Sequence, residues 1–197
     1  MKNKFIIAIF LILLNLNSTK VFSAEEFIFE ISNLEITDNG NIYKGKNRGK
    51  IIADTQLELV SNNFEYLKKI NQLKAEGDVQ LFDFKNNISI SAETIFYFKD
   101  KDKISTIGKT SIKVSNNYTI KGHDLTLLMD KMILSSNKKT TIKDKALNQY
   151  TLENFYYFIN QEILKGDNIE VSINKNNQAN GDKFLIKIGF FDLKENK

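Results

Sequence analysis

The chain offers few side chains able to do acid–base, nucleophilic or metal chemistry. His123 is the single histidine among 197 residues, and there is no cysteine. A histidine-based metal cluster, a thiolate nucleophile and a disulfide framework are therefore all excluded. His123 stands in the run Gly122-His123-Asp124 beside a turn signal, where a solvated surface position is expected. The neighbouring acids sit where they cannot share a proton. Glu25-Glu26 lies next to a candidate cleavage point, and Asp100 and Asp102 alternate with Lys99 and Lys101 in a polar turn. Acid–base pairs need a cleft that perturbs them. The sequence has no Gly-rich phosphate loop and no serine at a strand-to-helix turn. Asn87-Ile-Ser and Asn117-Tyr-Thr match a glycosylation pattern that an Asn-rich chain produces by chance. The expectation is a protein that is not an enzyme and has no cofactor and no metal.

With catalytic chemistry removed, charge and hydropathy decide what class of partner remains. The net charge of +4 invites a nucleic-acid reading, but Lys2, Lys4 and Lys20 lie in an acid-free stretch of 23 residues, and the rest carries 25 basic against 24 acidic residues. The electrostatic footprint of nucleic-acid binding is thus missing, and no nucleic-acid partner is expected. The first residues have their own logic: a positive start, an unbroken apolar run over 5–14, and Val21 and Ser23 as small or aliphatic residues before a cleavage point. That is the pattern of a cleaved signal peptide over residues 1–23. The apolar run is about half of the ~20 residues needed to span a bilayer. Residues 24–197 then form one exported domain, with 42% hydrophobic and 26% charged residues over the whole chain, an ordinary globular balance.

The elements of that domain read as strands. Period-2 alternation recurs in "FIFEISNLEI", "QLELV", "DVQLFDF", "NISIS", "TIFYF", "TSIKV", "YTIKG", "TTIKD" and "NIEVSI", bounded by Asn, Asp, Gly, Ser or Lys. The two helix candidates, 57–73 and 147–164, are dense in Asn, Phe and Tyr, so strand is expected there too. An internal repeat organises the strands. A slide of 31 residues lays Phe64 on Ile95, Leu73 on Ile104, Gly77 on Gly108 and Leu81 on Ile112. A further slide of 30 lays Ile95 on Leu125, Asp100 on Asp130, Ile104 on Leu134 and Ile112 on Ile142, and the next lays Leu127 on Tyr157 and Leu134 on Leu164. Three or four copies are expected. Each reads as an aromatic-rich strand, a tight turn, a short strand, a Gly or Asn, and a second alternating strand. The turns are Lys68-Lys69, Lys99-Asp100-Lys101, Asp130-Lys131 and Asn160-Gln161. Such a unit cannot bury its apolar face alone, whereas stacked copies share one core.

Several strands are apolar on both faces. Val79 and Leu81 oppose Phe82 and Phe84, and Ile95 and Tyr97 oppose Phe96 and Phe98. Either the second face meets another layer or subunit, or the strands enclose a groove between two sheets that can hold acyl chains. The candidate groove residues are Phe64, Tyr66, Val79, Leu81, Ile88, Ile90, Ile95, Tyr97, Ile112, Val114, Ile120, Leu125 and Leu127.

The stretch "FEYLKKINQLKAEGDVQLFDFKNNISISAETIFYF" resembles the OstA-like domain shared by LptA and the N-terminal region of LptD, the lipopolysaccharide transport proteins of Gram-negative bacteria. The family pattern is a strand with Tyr, a polar turn, Ala-x-Gly-x-Val, and an alternating strand ending in Ala-Asp or Ala-Glu. Tyr66, Ala75, Gly77, Val79, Ala92 and Glu93 occupy those positions. The leader "LEITDNGNIYKGKNRGKIIADTQLELVSNNFEY" is similar to the start of LptD-type domains. The resemblance implies an all-β, twisted β-jellyroll of two V-facing antiparallel sheets. It implies a periplasmic, outer-membrane-associated module that carries the lipid A acyl chains of lipopolysaccharide toward the outer membrane. Its partners would be other jellyroll proteins of the transport bridge, joined by edge-strand stacking, and the outer-membrane assembly machinery. Two departures stand against a complete LptD: the chain ends at "GFFDLKENK" without a barrel, and the usual cysteines are missing. A free-standing LptA-like carrier and a truncated LptD both fit, and the leader favours the second. The competing class is an exported structural β-repeat or adhesion module with no lipid ligand.

Overall fold

The structure, a computed structural model, describes residues 27–53, 56–174 and 183–194. The expected signal peptide over 1–23 and the Glu25-Glu26 pair lie outside the described residues. The chain enters with β1 (Ile28–Glu30), β2 (Asn33–Thr37), β3 (Ile42–Lys46), β4 (Gly49–Ala53), β5 (Leu57–Ser61) and β6 (Asn63–Leu67). Three long strands follow, β7 (Gln72–Asp83), β8 (Ile88–Phe98) and β9 (Lys103–Val114). Four shorter ones come next: β10 (Tyr118–His123), β11 (Thr126–Leu128), β12 (Ile133–Ser136) and β13 (Thr140–Asp144). The last are β14 (Gln149–Phe158), β15 (Ile163–Ser172) and β16 (Lys183–Asp192). The pairings among them are antiparallel. Strand occupies both segments that could have been helical, because β-branched and aromatic residues at period 2 fit a pleated surface.

The long strands bend and serve two sheets. The first half of β7 pairs with β6 and its second half with β5; β9 likewise pairs with β11 by its first half and with β10 by its second. Register shifts mark the bends, between Glu76 and Val79 in β7 and between Ala92 and Thr94 in β8. At the bends Gly77 and Gly108 adopt φ +79°, a region open to glycine and costly for a residue with a Cβ. The sequence splits each unit into a short strand, a glycine and a second strand. The structure instead shows one continuous strand, because the bulge turns the backbone without ending the ladder.

Two sheets result, joined along the line of bends. Sheet A contains β1, β4, β5, β10, β13 and one half of each long strand; sheet B contains β2, β3, β6, β11, β12 and the other halves. This is a twisted all-β jellyroll whose two sheets share backbone along the bends and meet through side chains on the side away from them. Polar side chains at the hinge take up the backbone groups that the bends release. The Thr106 hydroxyl accepts from the Leu125 N–H at 2.9 Å and from the Thr110 hydroxyl at 2.7 Å, and the Ser61 hydroxyl donates to the Glu76 carbonyl at 2.9 Å.

On the opposite side the repeat is written as a ladder of turns. The Lys68 N–H donates to the Asn41 carbonyl, Lys99 to Asn71, Met129 to Asp102, Ile159 to Met132 and Leu193 to Glu162. The accepting residues recur every 30 or 31 positions, and all but Asn41 have positive φ. The repeat therefore begins earlier than the sequence comparison found it, at the turn Asp38–Gly40. Glycine and asparagine replace the lysine-rich turn there, which hid the copy.

Candidate functional site

Each sheet presents one continuous apolar row to the interior, running strand to strand by register. In sheet A the row is Ile51, Leu59, Leu81, Ile90, Ile112, Ile120, Ile142, Tyr150 and Val171. In sheet B it is Ile36, Tyr43, Tyr66, Leu73, Tyr97, Ile104, Leu127, Leu134, Tyr157, Leu164 and Phe191. Apart from Ile36 and Tyr43 near the β2 edge, every member is buried in one contiguous core.

The structure brings together all thirteen residues that the sequence singled out. Leu81, Ile90, Ile112 and Ile120 stand in the sheet A row, and Tyr66, Tyr97 and Leu127 in the sheet B row. Phe64, Ile95 and Leu125 line the hinge on the sheet B side, with Val79 across it on β7. Ile88 and Val114 lie at the outer rim of sheet A. Sequence reasoning missed Tyr150, Tyr157, Leu164 and Phe191 as interior residues, although the last slide had laid Leu127 on Tyr157 and Leu134 on Leu164.

The sheets share backbone along the hinge, whereas side chains span the mouth on the opposite side. The Tyr118 hydroxyl of sheet A donates to Glu162 Oε2 in a sheet B turn at 2.7 Å, and the Tyr150 ring rests on Phe191 at 5.1 Å. Farther along the mouth a cleft of about 250 Å³ opens between Leu57, Asp83 and Asn86 on one side and Tyr97, Met129 and Asp130 on the other. Asp83 in this cleft, and Asp144 elsewhere along the same rim, have structural partners. Asp83 accepts from the Asn86 N–H at 3.0 Å and its amide at 2.6 Å, and Asp144 is held the same way by Asn148 at 2.9 and 2.8 Å. Both are turn-forming carboxylates. Among the described residues no cluster of His, Cys, Asp or Glu could hold a metal. His123 is exposed at the end of β10.

The tyrosines near the mouth carry a pH consequence. Burial pushes the Tyr118, Tyr150 and Tyr157 hydroxyls far above the ordinary phenol range, and the nearby Glu162 or Asp144 carboxylates push further in the same direction. Their folded values exceed the unfolded value of about 10, so their contribution is present below about pH 10 and is lost as pH rises above it. Three such groups titrating together steepen that loss. Alkaline titration should show a cooperative rise in phenolate absorbance coincident with loss of the far-UV circular dichroism signal. Ionisation of these tyrosines in a still-folded protein would contradict this placement.

The outer faces of the two sheets differ. On sheet B, Ile42, Leu67, Phe98, Leu128, Ile133, Phe158 and Ile163 fall in one half-buried cross-strand row. Gln72 and Lys103 interrupt that row; the matching row of sheet A is apolar at Ile28, Ile52 and Phe82, with Glu58 between them, and polar at Ser89, Lys113, Thr119, Lys143 and Gln149. Lysines cover part of the exposed aromatic surface, with Lys74 5.9 Å from the Phe96 ring and Lys103 5.5 Å from that of Phe98. The second apolar face of the two-faced strands is thus an outer surface, and the groove candidates belong to the inner one.

Fold and interior together define a class: a β-jellyroll built on a repeat of about 30 residues, with apolar rows facing each other across a side-chain-closed mouth. Comparison adds a partial likeness. No family model matches the chain and no curated protein matches it. Among solved structures, it is similar to that of LptH, the LptA-homologous periplasmic component of the lipopolysaccharide transport device of Pseudomonas aeruginosa. The sequence identity is 13% and the TM-score 0.49, over 55% of this chain and 79% of that one.

Proposed function

We propose that this chain is an exported, periplasmic carrier of lipopolysaccharide, which accepts the acyl chains of lipid A between its two sheets on the way to the outer membrane. The observation that carries the reading is the mouth. The ladders of each sheet run past it without crossing it, so the sheets can part there by exchanging side-chain contacts, while the backbone hydrogen bonds stay intact. Parting exposes two rows of aliphatic and aromatic side chains of the kind that favours acyl chains over water. The ordered OstA-like motif around Tyr66, Gly77 and Val79 supports the same ligand, and the charged-then-apolar leader supports export. The LptD-like leader favours the N-terminal domain of an outer-membrane assembly protein over a free-standing carrier.

The protein recovered from periplasm is expected to begin at Ala24 or Glu25. After delipidation it should take up lipopolysaccharide as a discrete mass increment in native mass spectrometry. A photo-crosslinking residue at Ile112 should label the lipid, and one at Lys131 in the turns should not. A mature protein that takes up no lipid would leave the structural β-repeat reading in place.

A further inference from the structure

Among the described residues the Tyr157 hydroxyl is the buried side-chain polar atom that lacks a hydrogen-bond partner, and its side chain is 0% exposed. Such a group is costly to leave unpaired, so its position calls for a cause. The repeat supplies one. A tyrosine in the sheet B row precedes a left-handed turn residue by five positions, as Tyr66 precedes Asn71 and Tyr157 precedes Glu162. In the earlier copy the two are bonded, the Tyr66 hydroxyl donating to Asn71 Oδ1 at 2.8 Å. In the later copy the carboxylate has been drawn away: Glu162 Oε2 accepts from Tyr118 of the opposite sheet. The Tyr118 ring stands edge-on to that of Tyr157, with centroids 5.7 Å apart. Leu134 and Leu164 flank Tyr157 along its row. This part of the apolar interior therefore holds Tyr118 and Glu162, which close the mouth, and Tyr157, which stands behind them unpaired, while the neighbouring Tyr150 hydroxyl is bonded to Asp144 at 3.1 Å.

We infer that Tyr157, Tyr118 and Glu162 form the polar end of the binding site, where the Tyr157 hydroxyl donates to the first ester, amide or hydroxyl oxygen of an amphiphile whose chain lies between the sheets. The inference rests on the carrier reading above and adds a specificity to it. Entry of the chain separates Tyr118 from Glu162, and the ligand oxygen satisfies the hydroxyl that the free protein leaves without a partner. A chain whose head has no hydrogen-bonding atom gains the apolar contacts but not this bond.

The test uses the full mature chain and two probes with the same twelve-carbon tail, 1-monolauroylglycerol and dodecyltrimethylammonium, each titrated calorimetrically below its micellar range. Tyr157→Phe should weaken monolauroylglycerol binding about 3- to 10-fold, the usual range for one hydrogen bond. It should leave the trimethylammonium probe unchanged and keep or raise the thermal midpoint of the free protein. Tyr66→Phe, which strands Asn71, should lower that midpoint without altering the preference between heads. Equal weakening of both probes, or of neither, overturns the assignment while the carrier reading stands. A lowered midpoint in Tyr157→Phe would show that the hydroxyl is already satisfied in the free protein, and overturns it as well. If the native chain binds neither probe, the carrier reading fails and this inference with it.

Discussion

Leu81→Asp is expected to abolish the folded state, whereas Ser89→Asp in the paired strand β8 should change stability by less than about 0.5 kcal/mol. Leu81 is 0% exposed and stands between Leu59 and Ile90 in the interior row of sheet A. Truncation of a buried leucine alone costs about 2–5 kcal/mol. A carboxylate in its place adds an unpaired charge, or the cost of protonating it, among aliphatic side chains. A domain of this kind has about 5–15 kcal/mol in total, so the two effects together consume most or all of it. Ser89 points out of the same sheet, one position from that row, and a charge there meets water. Circular dichroism and urea unfolding of the two variants check this. A folded Leu81→Asp beside an unfolded Ser89→Asp would mean that the faces are exchanged, as a one-residue register slip would make them. Loss of lipid uptake in Leu81→Asp would follow from unfolding, which is why crosslinking at Ile112 is the better probe of the interior.

What could be read from the sequence follows from what is periodic in it. Alternation placed Leu81, Ile90, Ile112 and Ile120 on one face, since each strand must choose one face for the core and the choice is visible in every second residue. The 30–31 spacing aligned Leu73 with Ile104, Ile104 with Leu134 and Leu127 with Tyr157, residues that the pairing then places in the sheet B row. The bends were not legible in the same way. Gly77 and Gly108 signal a break in sequence, but only the pairing of β7 with both β5 and β6 shows that the strand passes through the bend into a second sheet. The closure of the mouth was hidden too. Tyr118 and Glu162 are 44 residues apart and follow no repeat offset, so their meeting depends on the angle between the sheets. The first repeat copy escaped because its turn is Asp38-Asn39-Gly40 instead of lysine-rich, while the backbone ladder it joins is the same.

The stack of units ends in unpaired strands, and the second large effect expected is self-association through them. Among the described residues, β1 and β2 at one end pair only with β4 and β3, and β16 at the other pairs only with β15. Each end presents outward backbone donors and acceptors with no partner strand among the described residues, with Ile36 53% exposed at one end and Phe190 64% exposed at the other. Bare edges of that composition recruit another strand. The direction of the strands decides between two outcomes. β1–β2 and β16 both run from sheet A to sheet B, so β16 meets the β1–β2 edge of the next copy in parallel, and sheet A continues into sheet A. Two β16 strands related by a two-fold axis would pair antiparallel and form a closed dimer, but that joins sheet A of one copy to sheet B of the other. Head-to-tail pairing keeps both interior rows continuous and covers Ile36 with the next unit of the same kind. Because it is heterologous it does not close. Sedimentation velocity over a hundredfold concentration range should therefore show mean mass rising steadily. Ile36→Lys, at an exposed position that leaves the fold intact, should raise the concentration needed for association at least about tenfold, or ~1.4 kcal/mol. A single monomeric boundary throughout would defeat the expectation. A dimer of fixed mass, insensitive to Ile36→Lys, would place the contact at β16 alone and make the antiparallel, closed interface the correct one.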